Sequence, residues 1–199
     1  MEKIGESVKI KKIAITGIVA SGKSSVCDIL ASHGAYVIKS DEIVHRLYSQ
    51  NHEVQKKLVA KFGKIILSQG KIDRHKLGQI VFSDKTALTT LEEFIHPYVI
   101  QTIKETYNQV KDQHYCAFVV EFPLLFEIGL DSWFDKNATV VSRESDCQER
   151  FDAIFGNGEF DKRMSSQWTQ REKIARSDVI IENKGSLQEL KTQALKCLV

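Results

Sequence analysis

A chain of 199 residues with 42% hydrophobic content is long enough for one domain with a sizeable core and a small inserted lid. Its 28 basic and 26 acidic side chains leave a net charge of +2, scattered rather than striped, which excludes a strongly basic nucleic-acid or membrane-surface binder. No apolar run approaches the ~20 residues that cross a bilayer, and the polar start from Met1 to Ser7 has no signal-peptide core.

Residues 1–9 read as a loose N-terminal extension. A short apolar run from Ile10 to Thr16 is of strand type, and Ser25 to Ala31 has apolar residues at helical spacing. Between them, Gly17-Ile-Val-Ala20-Ser21-Gly22-Lys23-Ser24 fits the phosphate-loop pattern G-x-x-x-x-G-K-[ST] in the strand-to-helix context that the pattern requires. Glycines there let successive backbone N–H groups and a helix N-terminus face an anion. Lys23 adds a mobile cation, and the Ser24 hydroxyl suits an Mg2+ ion bridging the outer phosphates of a nucleoside triphosphate.

Further strand-like runs follow at Ala35 to Ile38, Cys116 to Glu121, Thr139 to Ser142 and Val179 to Ile181, separated by helical patterning, which implies a parallel sheet covered by helices on both faces. The long gap after the second run holds helix-like stretches at Glu42 to Tyr48, His52 to Phe62, His75 to Phe82, Lys85 to Phe94 and Tyr98 to Val110. This predicts a single domain over 10–199 with its core in 10–40 and 114–199 and a helical excursion over 41–113. There are two prolines. Pro97 is expected at a junction between two helices, and Pro123 stops the third strand. Phe155-Gly-Asn-Gly158 interrupts a helical pattern as the hinge of a lid over about 150–170 would. The four cysteines, Cys27, Cys116, Cys147 and Cys197, form no C-x-x-C pair or metal-like cluster and sit in apolar runs, as reduced thiols of a cytoplasmic protein do.

In open parallel sheets, ligands bind beyond the carboxyl ends of the strands. Asp41 follows the second strand, where a carboxylate can take or orient the proton of an acceptor hydroxyl, or can cap the next helix. Glu121 ends the third strand, as a metal-holding acid or as half of a structural ion pair. The run Lys71 to Leu77 brings Arg74 to a helix start, either as a two-pronged phosphate contact or as a solvated charge. His96-Pro97 offers an imidazole or merely a helix junction. Arg150, Lys162 and Arg163 flank the glycine hinge, where closing lids supply cations to a transferring phosphoryl group and where surface charge is an equal explanation.

Together these pieces resemble one family, dephospho-coenzyme A kinase, over Ile13 to Gly185. The resemblance rests on the phosphate loop, Val37 to Asp41, Phe62-Gly63, Asp73-Arg74 with Leu77 and Val81-Phe82, Leu91-Glu92 with His96-Pro97, Pro123-Leu124-Leu125-Phe126-Glu127, Gln148 with Arg150, Gln167, and Asp178 to Asn183. It implies an α/β, three-layer fold like that of nucleoside-monophosphate kinases: a five-stranded parallel sheet, a helical substrate-binding region and a lid. It also implies ATP-dependent, Mg2+-dependent phosphorylation of the ribose 3'-hydroxyl of dephospho-coenzyme A, the last step of coenzyme A synthesis. From charge and composition no nucleic-acid or membrane partner is expected, and a monomer is the expected state with an oligomer left open. Carried over by position, Gly17, Ala20, Ser21, Gly22, Lys23, Ser24 and Ser25 hold ATP, with Asn183 near its adenine. Lys23, Asp41 and Arg150 serve catalysis, and Ser24 and Glu121 hold metal. Asp41, Arg74, His96, Pro97, Leu124, Leu125 and Glu127 line the acceptor side.

Three departures from the family pattern stand out. Lys39 replaces the first acid of an Asp-x-Asp at the second strand's end, so Asp41 works without it. Ala20 replaces a common glycine, a mild change if its φ is negative. After Arg150 a further lid arginine is expected, but the chain reads Asp152-Ala-Ile154-Phe155, which displaces that cation to Lys162 or Arg163 or removes it. The alternatives to the main reading are a phosphate-loop kinase for another small metabolite or nucleotide, and a nucleotide-binding protein with weakened catalysis.

Overall fold

The computed structural model describes residues 9–156 and 158–199. Residues 1–8 of the expected extension, and Asn157 of the expected hinge, lie outside the described residues. The described residues form nine α-helices and seven strands. In chain order they are β1 (Lys11–Thr16), α1 (Lys23–Ser32), β2 (Tyr36–Lys39), α2 (Ser40–Gln50), α3 (His52–Phe62), β3 (Leu67–Ser68), β4 (Lys71–Ile72), α4 (Arg74–Ser83), α5 (Lys85–Val110), β5 (Ala117–Glu121), β6 (Lys136–Val141), α6 (Glu144–Phe155), α7 (Phe160–Met164), α8 (Gln170–Ala175), β7 (Val179–Glu182) and α9 (Leu187–Leu195).

The chain forms two compact units, one from Met1–Lys39 with Thr106–Val199 and the other from Ser40–Glu105. The first is a three-layer α/β unit around a five-stranded sheet of order β2-β5-β1-β6-β7, parallel throughout. One face is closed by α1 and α9. Val26, Cys27 and Leu30 of α1, with Leu190 and Ala194 of α9, pack on Ile13, Ile15, Val119, Ala138, Val140 and Ile181. Alternation sends the neighbouring residues to the other face, where Phe118 meets Tyr107 and Trp133 edge-on and Tyr36 stacks on it. Because β1 is central and its neighbours lead away on opposite sides, the loop after β1 lies at the reversal point of strand order.

The second unit is helical, with one hairpin that sequence patterning does not reveal. β3 and β4 pair antiparallel around Gln69 and Gly70, whose φ values of 49° and 76° give the doubly left-handed turn that suits a two-residue connection. The helix break expected at Pro97 does not occur, because α5 runs unbroken through it. Proline removes one backbone donor, and the stripe Leu91, Ile95, Val99 and Ile103, buried at intervals of four, carries the helix across that loss. β6 also begins earlier than its apolar run. Its polar start pairs in register with β1, Lys136 opposite Ile13, and Asp178 accepts from the Asn137 N–H at 2.7 Å.

Candidate functional site

The loop between β1 and α1 folds back on itself by left-handed backbone. Gly17, Ala20 and Gly22 have φ values of 144°, 57° and 99°. A side chain at Gly17 would meet the Val140 carbonyl oxygen at 2.5 Å, so only glycine fits between the loop and β6. Gly22 is equally constrained, lying against the Asn183 side-chain amide. The negative φ that would make alanine a mild change at position 20 is not found. Ala20 occupies the left-handed region, and its methyl packs with Val19 beside Ile18, Cys147, Phe151 and Phe160. Lys23 crosses back over the loop and donates to the carbonyl oxygens of Ile18 at 2.9 Å and Gly17 at 3.2 Å. Asn183, just past β7, donates to the Ser21 carbonyl at 2.9 Å, and its own carbonyl accepts from Ser142. In this position it braces the underside of the loop.

At the start of α1 the Ser24 hydroxyl donates to Glu121, 3.1 Å from one carboxylate oxygen and 3.2 Å from the other. Ser24 and Ser25 are exposed, whereas Glu121 is 8% exposed at the end of β5. A hydroxyl and a carboxylate so placed are hard oxygen donors, a set that fits a hard divalent cation. Beside them, burial lowers the Lys39 ammonium pKa, but a hydrogen bond to Asp28, with the Asp28 and Glu121 charges behind it, holds it above the ordinary lysine value. Burial, reinforced by Glu121, pushes the Cys27 thiol well up, so it stays protonated and serves as core.

Arg150 of α6 reaches the same loop, donating to the Ala20 carbonyl at 3.2 Å and the Ser142 hydroxyl at 3.1 Å. The other two cations of this segment are engaged elsewhere. Lys162 pairs with Glu159 at 2.7 Å. The Arg163 guanidinium lies over the rings of Phe151 and Phe155, 5.6 and 5.4 Å from their centroids. Ile154 and Phe155, where the further arginine was expected, are 74% and 59% exposed.

After β5, the segment Pro123 to Glu127 is tied down from within. Lys173 of α8 is fully buried and donates to the Pro123 carbonyl at 2.7 Å and to Glu127 at 2.6 Å. The same Glu127 oxygen accepts from the Trp168 N–H at 2.8 Å. Burial lowers the Lys173 pKa, and Glu127 offsets part of that fall. Leu125 has no exposure at all, so its side chain is core and not the ligand-lining surface expected of it. Leu124 and Glu127 remain partly exposed.

In the helical unit Asp41 is exposed in the first turn of α2, beside Glu42 and one residue inside the helix, so the cap anticipated for it is not its role. Two carboxylates there favour the positive helix end. Asp73 caps α4, accepting from the N–H groups of His75 and Lys76, which leaves Arg74 exposed at the first helical position. His96 is half-buried in α5, and burial holds its pKa below the ordinary histidine value, so the imidazole is neutral at pH 7. Pro97 next to it is exposed.

A family model for dephospho-CoA kinase matches residues 11–189 of this chain. The chain belongs to the dephospho-CoA kinase family. It is 38% identical over 187 residues to the dephospho-CoA kinase of Protochlamydia amoebophila, covering 92% of each chain. Among solved structures it resembles TT1252 from Thermus thermophilus with a TM-score of 0.79 at 30% identity, over 94% of this chain and 95% of that one. It also resembles the dephospho-CoA kinase from Campylobacter jejuni, with a TM-score of 0.59 at 25% identity over 94% of both. No helix of the described residues is long and apolar enough to cross a membrane.

For a dephospho-CoA kinase family member, the residues that sequence reasoning passes over are Ser142 and Lys173. Ser142 links Arg150 to the Asn183 carbonyl, so the arginine and the brace under the loop share one hydroxyl. Lys173 carried a faint signal. It lies in the short helix opened by the capping box of Thr169 and Glu172, and its side chain is turned inward against the polar pattern of its neighbours.

Proposed function

We propose that the protein transfers the terminal phosphoryl group of ATP to the ribose 3'-hydroxyl of dephospho-coenzyme A, giving ADP and coenzyme A. The observation that carries this reading is the phosphate loop braced by Asn183 and Arg150, with Lys23 and the Ser24–Glu121 pair at the carboxyl ends of β1 and β5, in a chain matched by the family over 11–189. In it the N–H groups of Gly17 to Ser25 cradle the phosphates, and Lys23 exchanges its loop carbonyls for phosphate oxygens. Ser24 and Glu121 hold Mg2+, which when bound neutralises charge on the outer phosphates. Asp41 accepts the proton of the acceptor hydroxyl, and Arg150 stabilises charge on the group in transit.

In the same reading, residues 41–113 form the acceptor-binding region, with Arg74, neutral His96, Pro97, Leu124 and Glu127 on the acceptor side, and about 150–170 form a lid. Asn183 contributes on the nucleotide side through the loop it braces. We assign the protein to the cytoplasm, a reading supported by four cysteines that are all free, and propose that it acts as a monomer.

The test is turnover of dephospho-coenzyme A with ATP and Mg2+, against a panel of nucleoside monophosphates and hydroxylated metabolites. Asp41→Asn is expected to lower kcat by roughly 10²- to 10⁴-fold with little change in ATP affinity. Retained turnover in that variant would remove Asp41 from the base role, and preference for a nucleoside monophosphate would overturn the acceptor.

A further inference from the structure

Four polar side chains under α1 form two adjacent rungs between helix and sheet. Ser24 and Asp28 are four residues apart on α1 and so share a helix face. Lys39 and Glu121 are register partners at the carboxyl ends of β2 and β5. Val37 and Val119, two residues before them, pack in the core against α1, so alternation places Lys39 and Glu121 on that same face. Registered neighbours on one face have Cβ atoms about 5 Å apart. The rungs themselves are hydrogen bonds: Ser24 donates to Glu121, and Lys39 donates to Asp28 at 3.3 Å.

The two ends of this quartet differ in solvation. Asp28 has a side chain 71% exposed, so water screens its hold on the ammonium, whereas Lys39 is 28% exposed and Glu121 only 8%. The Lys39 charge is therefore felt more strongly toward the buried carboxylate than the short Asp28 contact alone suggests. No step of the proposed reaction uses Lys39.

We infer that Lys39 is a resident counter-cation to Glu121 that sets the divalent-metal affinity of the Ser24–Glu121 site. This rests on the kinase reading above, in which those two residues hold Mg2+. A metal ion arriving at Glu121 meets a carboxylate whose field is already partly cancelled and an ammonium that repels it. Water reaches the Lys39 ammonium, which is 28% exposed, so its charge is screened to a nearly aqueous degree, and at about 6 Å one such charge changes a divalent ion's affinity by about tenfold. The consequence is a site that fills only at higher free metal, or only once the phosphates of the nucleotide add their own charge. Asp28 is the restraint: it holds the ammonium at the outer rung, away from Glu121.

The test is Mn2+ binding to the full-length protein with saturating ADP, read from the free-Mn2+ electron paramagnetic resonance signal, so that no turnover enters. Lys39→Met, which keeps the apolar stem and removes the charge, is expected to tighten Mn2+ about tenfold. Lys39→Gln provides a second neutral variant should the first melt early. Asp28→Asn is expected to weaken Mn2+ about twofold by releasing the ammonium toward Glu121. Unchanged Mn2+ affinity in both Lys39 variants overturns the inference. So does a loss of metal-free ADP affinity larger than the change in Mn2+ affinity, which would make Lys39 a phosphate ligand instead. Glu121→Gln separates this from the underlying reading. It should weaken Mn2+ at least tenfold, and if it does not, the metal site assigned to Ser24 and Glu121 fails, and the role of Lys39 with it.

Discussion

The phosphate loop and the segment from α6 to α7 are packed on each other, yet they hold their charges in opposite ways. In the loop, position is fixed by backbone: Gly17 is wedged against β6, Gly22 against Asn183, and Lys23 is tethered by two main-chain carbonyls. In the α6–α7 segment, position is fixed by side chains that exchange partners readily, an Arg163 guanidinium over two rings and a Lys162 paired with an exposed glutamate. Backbone preorganisation needs no rearrangement when charge develops in a transition state, whereas a side chain engaged elsewhere must first leave its partner. The loop end of the site is therefore built before substrate arrives, and of the segment's three cations Arg150 already bonds the loop, at the Ala20 carbonyl.

The sharpest way to break this contrast is at Lys23. Lys23→Met is expected to lower kcat by about 10³-fold or more, because a cation held at the phosphate site contributes chiefly in the transition state. Steady-state kinetics against ATP concentration separates the effects. A variant that loses only ATP affinity would show the lysine to be a binding group, and the preorganisation argument would fail there.

Next in size is a test of how the segment after β5 is held. Lys173→Met leaves the Glu127 carboxylate buried without its cation and is expected to cost about 3–5 kcal/mol in urea denaturation. Lys173→Met combined with Glu127→Leu should recover most of that loss, apart from about 1 kcal/mol for the Trp168 N–H left without an acceptor. Equal stability of single and double variants would mean the pair is solvated and does not anchor Pro123 to Glu127.

What could be foreseen from the residues follows the same division. The phosphate loop, the five parallel strands and α3 are legible because each is written in a local pattern of glycine spacing, apolar runs or helical periodicity. The continuity of α5 through Pro97 is not, since the local proline signal outweighs the buried stripe Leu91, Ile95, Val99 and Ile103 that spans it. The same holds for Leu125, which reads as a ligand-lining leucine in its motif and is core in the fold. Lys173 is nearly hidden for the converse reason: the capping box of Thr169 and Glu172 marks its helix, but nothing local marks the carbonyl 50 residues away that its ammonium finds.

The cations of the α6–α7 segment supply a smaller, comparative test. Arg150→Ala is expected to lower kcat by about 10²-fold, the usual loss for one preorganised donor near the transferred group. Arg163→Ala and Lys162→Ala are expected to change kcat by less than about threefold, because their charges are engaged with the Phe151–Phe155 rings and with Glu159. A loss at Arg163 as large as that at Arg150 would mean that it leaves the rings during turnover and serves as the displaced lid cation.

The smallest effect bears on the one point where the loop is not ideal. Ala20 has a φ of 57°, a left-handed conformation that costs an L-residue roughly 1–2 kcal/mol. Glycine there would relieve that strain but adds about 0.5–1 kcal/mol of unfolded-chain entropy. It also removes a methyl that packs against Ile18 and the α6–α7 aromatics, worth about 0.5 kcal/mol at partial burial. The balance favours Ala20→Gly by about 0.3 kcal/mol, readable as a slightly raised urea midpoint at unchanged slope. Ala20→Val amplifies the same term in the other direction, since a β-branched side chain resists the left-handed region far more strongly, and should lose at least 2 kcal/mol together with ATP binding. If Ala20→Gly is instead destabilising, the methyl's contact with the α6–α7 cluster outweighs the strain, and the loop is held partly by the very segment from which its backbone was thought independent.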